Sequence, residues 1–268
     1  MLAGLGIGHL PFLHENIMGS HGRFDFVEVT PETYIGGDPL LMREQMQELA
    51  PVLPSTCHGI DLSLCSTDDF DNDHLENLSS VLSVVNPLFF SEHLAYTQSE
   101  DLNSDIYLPP LYLDAEVGRI SKKCEYIAEY FKKPFHLENV PDFLFGKSGI
   151  GEGEFFGKLA KTADVGVILN IDSITISARL QNIDPLDLVQ SYPADRIISL
   201  TVVPEACMNP VIRTMCGGFD GDMLSIVEHC LRRTSAKSVL VQTRYGSNTV
   251  ESLDPVLTAL GSKLSRHS

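Results

Sequence analysis

Basic side chains are scarce in this chain of 268 residues: Lys and Arg total 19 against 36 Asp and Glu, a formal charge of −17. That balance excludes a nucleic-acid surface, which needs clustered positive charge to neutralise phosphates. It leaves room for a basic peptide or a metal cation, and equally for a solvated acidic surface with no partner. Long apolar runs are absent, and none approaches the roughly 20 residues needed to cross a bilayer, so no membrane partner is expected. The opening MLAGLGIGHLPFLHENIMGS lacks the positive start of a secretory signal. The six cysteines (Cys57, Cys65, Cys124, Cys207, Cys216 and Cys230) form no C-x-x-C pair. Together these features lead us to expect a cytoplasmic protein with reduced thiols, buried as small apolar groups.

Nucleotide and protease fingerprints are missing as well. GLGIG has glycines but not the G-x-G-x-x-G spacing with an acidic strand-end partner, and GIGEGEFFG places glutamates where phosphates would lie. There is no P-loop and no H-E-x-x-H. Glu205 and Cys207 have no histidine or aspartate placed to complete a thiol triad. Cys57 precedes His58, but neighbours on a strand face opposite ways, so Cys57 reads as a core thiol.

What is present is enough for one large core, since 43% of the residues are hydrophobic. We expect a single domain over 1–262 and a flexible tail over 263–268. Short apolar runs at 3–8, 24–30, 55–59, 89–94, 134–139, 166–171, 196–203 and 238–244 read as strands. Amphipathic segments at 39–50, 71–86, 114–133, 151–163, 184–192, 221–234 and 249–260 read as helices. The crossover between the first two strands is short and poorly patterned, and 97–116, polar and then broken by proline, reads as a long loop over one end. Strands alternating with helical crossovers close most simply into an α/β TIM barrel, (β/α)8. An open doubly wound sheet is the structural alternative.

In such barrels the strand C-termini and the loops after them build the active site. Polar residues collect there: Glu28 and Thr30, His58, Glu92 and His93, His136 and Glu138, Asn170 and Asp172, Ser199 and Thr201, Gln242 and Arg244. Period-two spacing puts each i, i+2 pair on one face of its strand, whereas only one of the adjacent Glu92 and His93 can point inward. The run PFHLENVPDFLF poses the problem most sharply, because His136 and Glu138 on one face are expensive if that face is dry. Imidazoles and carboxylates together are the usual shell of zinc or iron, and spacing alone does not choose between them. Each residue also has a structural reading, as a core histidine or an orienting hydrogen-bond acceptor.

The stretches FVEVTPETYIGG, CHGIDLSL, SEHLAY, LPPLYLDAEV, KKPFHLENVPDFL and GVILNIDSITISARLQNIDP, followed by RIISL, span most of the chain. In that order they resemble the DUF692 family, the multinuclear non-heme iron-dependent oxidative enzymes, known from methanobactin biosynthesis among other contexts. The resemblance implies a xylose-isomerase-like TIM barrel that oxidatively modifies cysteine or other residues of ribosomally made peptides. It also implies metal ligation by His58, His93 and Glu138. Other family ligands are replaced: Asn170 stands for an aspartate, Asp172 and Ser173 for a pair that follows it, Thr201 for a histidine and Gln242 for a glutamate, while an Asp-Thr-His-like motif falls on Arg213, Thr214 and Met215. Neutral side chains leave too little negative charge to hold several cations close together.

Two functions follow from these expectations. In one, a reduced site holds a single iron ion on His58, His93 and Glu138, with Asp172 as a base or fourth ligand and His136 as a supporting or proton-relay group. Glu28, Asn170, Thr201, Arg213, Gln242 and Arg244 then contact the substrate, a peptide or small thiol, or support the ligands, with Arg213 and Arg244 supplying guanidinium charge in place of missing metal. In the other, the barrel holds no cofactor and serves as a peptide- or partner-binding protein in a biosynthetic complex. A small recognition protein or an active paralogue is a possible partner in either case.

Overall fold

The computed structural model describes residues 2–99, 102–143, 149–204, 221–243 and 249–265. Eight parallel strands close into a barrel: β1 (Gly4–His9), β2 (Phe26–Val29), β3 (Ser55–Gly59), β4 (Phe90–His93), β7 (Phe135–Glu138), β8 (Gly166–Asn170), β9 (Ile197–Val202) and β10 (Ser238–Val241). Each pairs with its sequence neighbour in the barrel, and β1 joins β10 on one side and β2 on the other. Every strand expected from the sequence is present, so the open-sheet alternative is set aside.

The outer layer consists of α1 (His14–Gly19), α2 (Pro39–Leu49), α3 (Asn72–Val85), α4 (Val117–Phe131), α5 (Glu152–Ala163), α6 (Ile171–Gln181), α7 (Pro185–Ser191), α8 (Gly221–Arg233) and α9 (Asp254–Leu264). Their starts are written in the sequence. Asp38, Asp71 and Asp184 each accept a backbone N–H two residues on, and Pro39 and Pro185 occupy the first helical turn, where no N–H is needed. Several end on a left-handed residue, Asn86 after α3 and Asn182 after α6 among them. The poorly patterned first crossover is the short α1 between two 3-10 turns, Pro11–Leu13 and His21–Arg23.

Three elements differ from expectation. The segment read as a loop over 97–116 begins as an antiparallel hairpin, β5 (Tyr96–Ser99) with β6 (Leu102–Leu108). Helix α6 was not expected, because seven of its residues (Ile171, Asp172, Ser173, Ile174, Ile176, Ser177 and Ala178) are buried. A helix covered on most sides loses the polar face that makes a period visible. The final helix also extends through Lys263 and buried Leu264, two residues into the segment expected as a tail. No helix among the described residues is long and apolar enough to cross a membrane.

Strand alternation sends one set of side chains into the barrel and the other against the helices. Phe26 fills the inner floor because its neighbour is Gly6, where a Cβ would lie 2.2 Å from the Phe26 ring. Above this floor the inward positions turn polar.

Candidate metal centre

Neighbouring strands β3, β4 and β7 bring the first three candidates together. In register, His58 is level with Ser91, and His93 with Glu138. His58 Nε2 lies 3.4 Å from His93 Nε2 and 3.7 Å from Glu138 Oε2. One ligand atom from each residue falls within 4.8 Å of the other two, and all three side chains are buried. Two donors bound to one ion at about 2.1 Å stand roughly 3.0–3.5 Å apart, so the cluster has about the dimensions of half a coordination shell.

The partners of His58 fix its tautomer. Ser91 Oγ donates to the Cys57 carbonyl at 3.3 Å, which leaves its oxygen to accept from His58 Nδ1–H at 2.9 Å. The lone pair of His58 is therefore on Nε2, aimed at His93 and Glu138. Burial, and then the nearby His93, hold the His58 pKa well below the ordinary histidine value, so its imidazole is neutral. An Nε2–H···Nε2 bond between the two rings would use one proton and leave Glu138 Oε2 beyond hydrogen-bond reach of His58. A cation between them takes all three donors at once, and on that ground the residues fit a metal.

Each ligand is braced. Glu138 Oε1 accepts from Asn170 Nδ2 at 2.8 Å, and Asn170 Oδ1 accepts the Ser173 N–H at 2.9 Å, so capping of α6 orients the amide that holds the carboxylate. Asn139 in turn fixes the Asn170 backbone, accepting its N–H at 2.7 Å. His93 faces inward and stacks on Tyr107 with ring centroids 4.0 Å apart. Glu92 faces outward, accepting the His93 and Leu62 N–H groups, while Glu32 accepts that of Ile60. Burial pushes the carboxyl pKa values of Glu32 and Glu92 up, and for Glu32 the charge of Glu92 adds to the effect. Sequence reasoning did not reach Ser91, Tyr107, Asn139 or Glu32. Ser91 was within reach, since it shares the inward face of β4 with His93; Tyr107 was hidden by the loop reading of its hairpin.

The remaining candidates spread around the barrel. Glu28, on β2, is 5% exposed, and its pKa is raised by burial and then by the charge of Glu138. His136 lies two residues before Glu138, level with Ser91; its Nδ1 accepts the Gly166 N–H at 3.0 Å and its ring meets Phe89 edge to face. Burial lowers its pKa to about 4. Asp172 is not on a strand with Asn170, as its spacing suggested: β8 ends at Asn170, and Asp172 is in the first turn of α6, its Oδ2 accepting the Val203 N–H at 2.7 Å. Thr201 faces Asn170 across the β8–β9 register, and its buried hydroxyl has no hydrogen-bond partner. Gln242 follows the end of β10, its N–H donating to the Val202 carbonyl at 2.9 Å. Arg213 and Arg244 lie outside the described residues, as do Thr214, Met215, Glu205, Cys207 and Cys216. Cys57, Cys65, Cys124 and Cys230 are buried free thiols.

A closed parallel barrel with a buried His-His-Glu donor set defines a TIM-barrel protein with a candidate metal centre. Residues 4–243 match a family described as the RiPP precursor modification enzymes MbnB/TglH/ChrH, and this chain belongs to that family. Similar proteins include a UPF0276 protein of Caulobacter vibrioides, 27% identical over 201 residues that cover 74% of this chain and 71% of the relative. Another, from Haemophilus influenzae, is 29% identical over 181 residues, 66% of this chain and 58% of the relative. Among solved structures, the E. coli 3-keto-D-glucoside 4-epimerase YcjR has a TM-score of 0.61 at 13% identity, covering 98% of this chain and all (100%) of its own. The IOLI protein with a binding zinc atom has a TM-score of 0.60 at 11% identity, covering 99% of both chains. At these identities the likeness shows the fold alone, a TIM barrel.

Proposed function

We propose that this chain is an oxidative enzyme that modifies a ribosomally made peptide at a cysteine or similar thiol, using one iron ion held by His58, His93 and Glu138. The observation that carries this reading is the convergence of three buried donors, with the His58 lone pair aimed at the other two. Two imidazoles and one carboxylate form the facial set of non-heme iron sites, and a bound iron would supply redox chemistry with open positions for oxygen and substrate. Family membership supports the peptide substrate.

The chain's own residues hold and insulate the centre. Ser91 fixes the His58 tautomer, Asn170 orients Glu138, and Tyr107 covers one face of the His93 ring. Glu28 stands beside Glu138 as a carboxyl that retains its proton until a nearby cation favours the ionised form, which suits a group that takes or returns a proton near substrate. Asp172 and His136 take positioning roles, holding the start of β9's following segment and the β7–β8 pairing respectively. Zinc is the alternative occupant for such a donor set.

The test is oxygen uptake by the iron-loaded protein with cysteine-containing precursor peptides. Uptake coupled to loss of the peptide thiol, absent for the serine-substituted peptide and for H93A, is the expected result. Iron loading without thiol-dependent uptake across such peptides would defeat the oxidative reading and leave a barrel that only binds peptides.

A further inference from the structure

We propose that Ser63, in the loop after β3, is a positioning residue of the metal centre: it sets the β5–β6 hairpin so that Tyr107 holds the His93 ring. For the ion this inference rests on the reading above; for the placing of the ring it does not.

The hairpin is irregular beside the centre. Tyr96 pairs with Leu108 and Gln98 with Asn103, so a two-residue step on β5 faces a five-residue step on β6. Tyr107 stands in the stretch that bulges, and a bulge interrupts the ladder and re-aims side chains. Backbone groups beside this break go to one buried side chain. Ser63 Oγ accepts the N–H groups of Thr97 at 3.0 Å and Gln98 at 3.2 Å, and it donates to the Gln98 carbonyl at 2.8 Å. A hydroxyl offers one donor and two acceptor sites, so all of its capacity is spent on the hairpin.

The backbone of Ser63 is strained. Its φ is +48°, in the left-handed region that a residue with a Cβ adopts only where its surroundings impose it. Residues held in this way cluster at active sites and ligand clamps. Here the surroundings belong to the walls of the centre. Glu92, beside His93, accepts the Leu62 N–H at 3.2 Å, and the Ser63 carbonyl accepts the Ser66 N–H at 2.9 Å. The Cys65 N–H donates to the Ala95 carbonyl at 3.1 Å, and Gln98 Nε2 donates to the Asp61 carbonyl at 3.2 Å. The loop that follows His58 is thus stitched to the segment that follows His93, with Ser63 as the central stitch.

At the far end of these contacts is a ligand ring. An imidazole turns readily about its last side-chain bond, because that torsion has only broad minima. The His58 ring is fixed through Nδ1 by Ser91. The His93 ring lies against Tyr107, with centroids 4.0 Å apart and planes 20° from parallel, and meets His58 edge to face with centroids 4.5 Å apart. Together these contacts hold its Nε2 3.4 Å from Nε2 of His58. Groups that orient a ligand from behind are worth about 10- to 100-fold in metal affinity.

The test uses the full-length chain, and S63G is the decisive variant. Glycine relaxes the left-handed backbone but deletes the hydroxyl, so a loss points to the three hydrogen bonds. NMR of the metal-free protein reads the His93 ring protons, which the Tyr107 ring current displaces. Anaerobic competition for Fe(II) with a chelator reads the affinity. S63G and Y107A are expected to move the His93 shifts in the same direction and to weaken Fe(II) about tenfold. Y107F, which keeps the ring, should match the parent in both. V81A, on the buried face of α3, should lower the unfolding midpoint and leave both readouts at parent values. Parent-like His93 shifts in S63G, parent-like Fe(II) affinity in Y107A, or an equal loss of Fe(II) in V81A overturns the proposal. If S63G does not fold, S63A, which also lacks the hydroxyl, is read against the same outcomes. If the parent itself binds no Fe(II), the metal reading falls, and the His93 shifts alone decide whether Ser63 sets the ring.

Discussion

The two halves of the barrel interior differ in chemistry. On the side of β2, β3, β4 and β7 the inward residues are Glu28, His58, His93 and Glu138, all able to carry charge or donate a lone pair to a metal. On the side of β8, β9 and β10 the corresponding positions carry Asn170, Thr201 and Gln242, none of which ionises. Asn170 shows what the neutral half does: its amide donates to Glu138 and caps α6, work that an anionic side chain could only half perform. Thr201, with its buried hydroxyl unpartnered, shows a position that keeps polarity without using it on the protein. Cations placed a few ångströms apart need negative charge between them. Among the described residues the ionisable groups stand on one side of the interior, which is the ground for proposing a single ion.

The contrast can be broken first at Glu28. Its folded pKa is raised, so its contribution to stability is complete below the unfolded value near 4.5 and is lost as pH rises through the folded value. E28Q removes that titration. Its stability relative to the parent, from metal-free denaturant melts, is expected to grow by about 1.4 kcal/mol per pH unit above pH 4.5 and to level off once the folded value is passed. A constant difference across pH would mean that Glu28 is already ionised in the fold.

N170D carries charge into the neutral half. An aspartate still caps α6 but sets a carboxylate against Glu138 in place of a donor, so we expect a metal-free loss of about 3 kcal/mol that added Fe(II) largely restores. Indifference to metal would show that the two halves are not electrostatically linked. S91A frees the His58 tautomer while leaving every charge in place, and metal affinity should fall about 10- to 100-fold in a chelator competition. The smallest effect is expected at Thr201: T201V keeps the shape and deletes an unpaired hydroxyl, so stability should change by less than about 1 kcal/mol and metal affinity not at all. Loss of metal in T201V would make that hydroxyl a ligand and move the centre across the barrel.

The sequence made much of this arrangement visible, and the reasons are local. The barrel strands are short runs between turn signals, and their length and their flanking turn residues mark them. His58, His93 and Glu138 stand at the ends of adjacent strands, where the barrel rule places functional groups. Helix α6 escaped because burial on most sides erased its polar stripe, and with it went the true place of Asp172, in a helical turn rather than on a strand. The hairpin escaped because it carries the polar composition of a loop. Bracing by Ser91 and Asn139 depends on which strands become neighbours, a fact of closure that no single segment contains. The hold of Ser63 on the hairpin likewise joins two stretches of chain that meet only in the fold.

The most direct test of a one-ion centre is the iron content of anaerobically purified protein after Fe(II) loading and removal of excess metal. We predict about one iron per chain in the parent, and none retained by H58A, H93A or E138A. Two or three irons per chain, or full retention by H93A, would contradict the account.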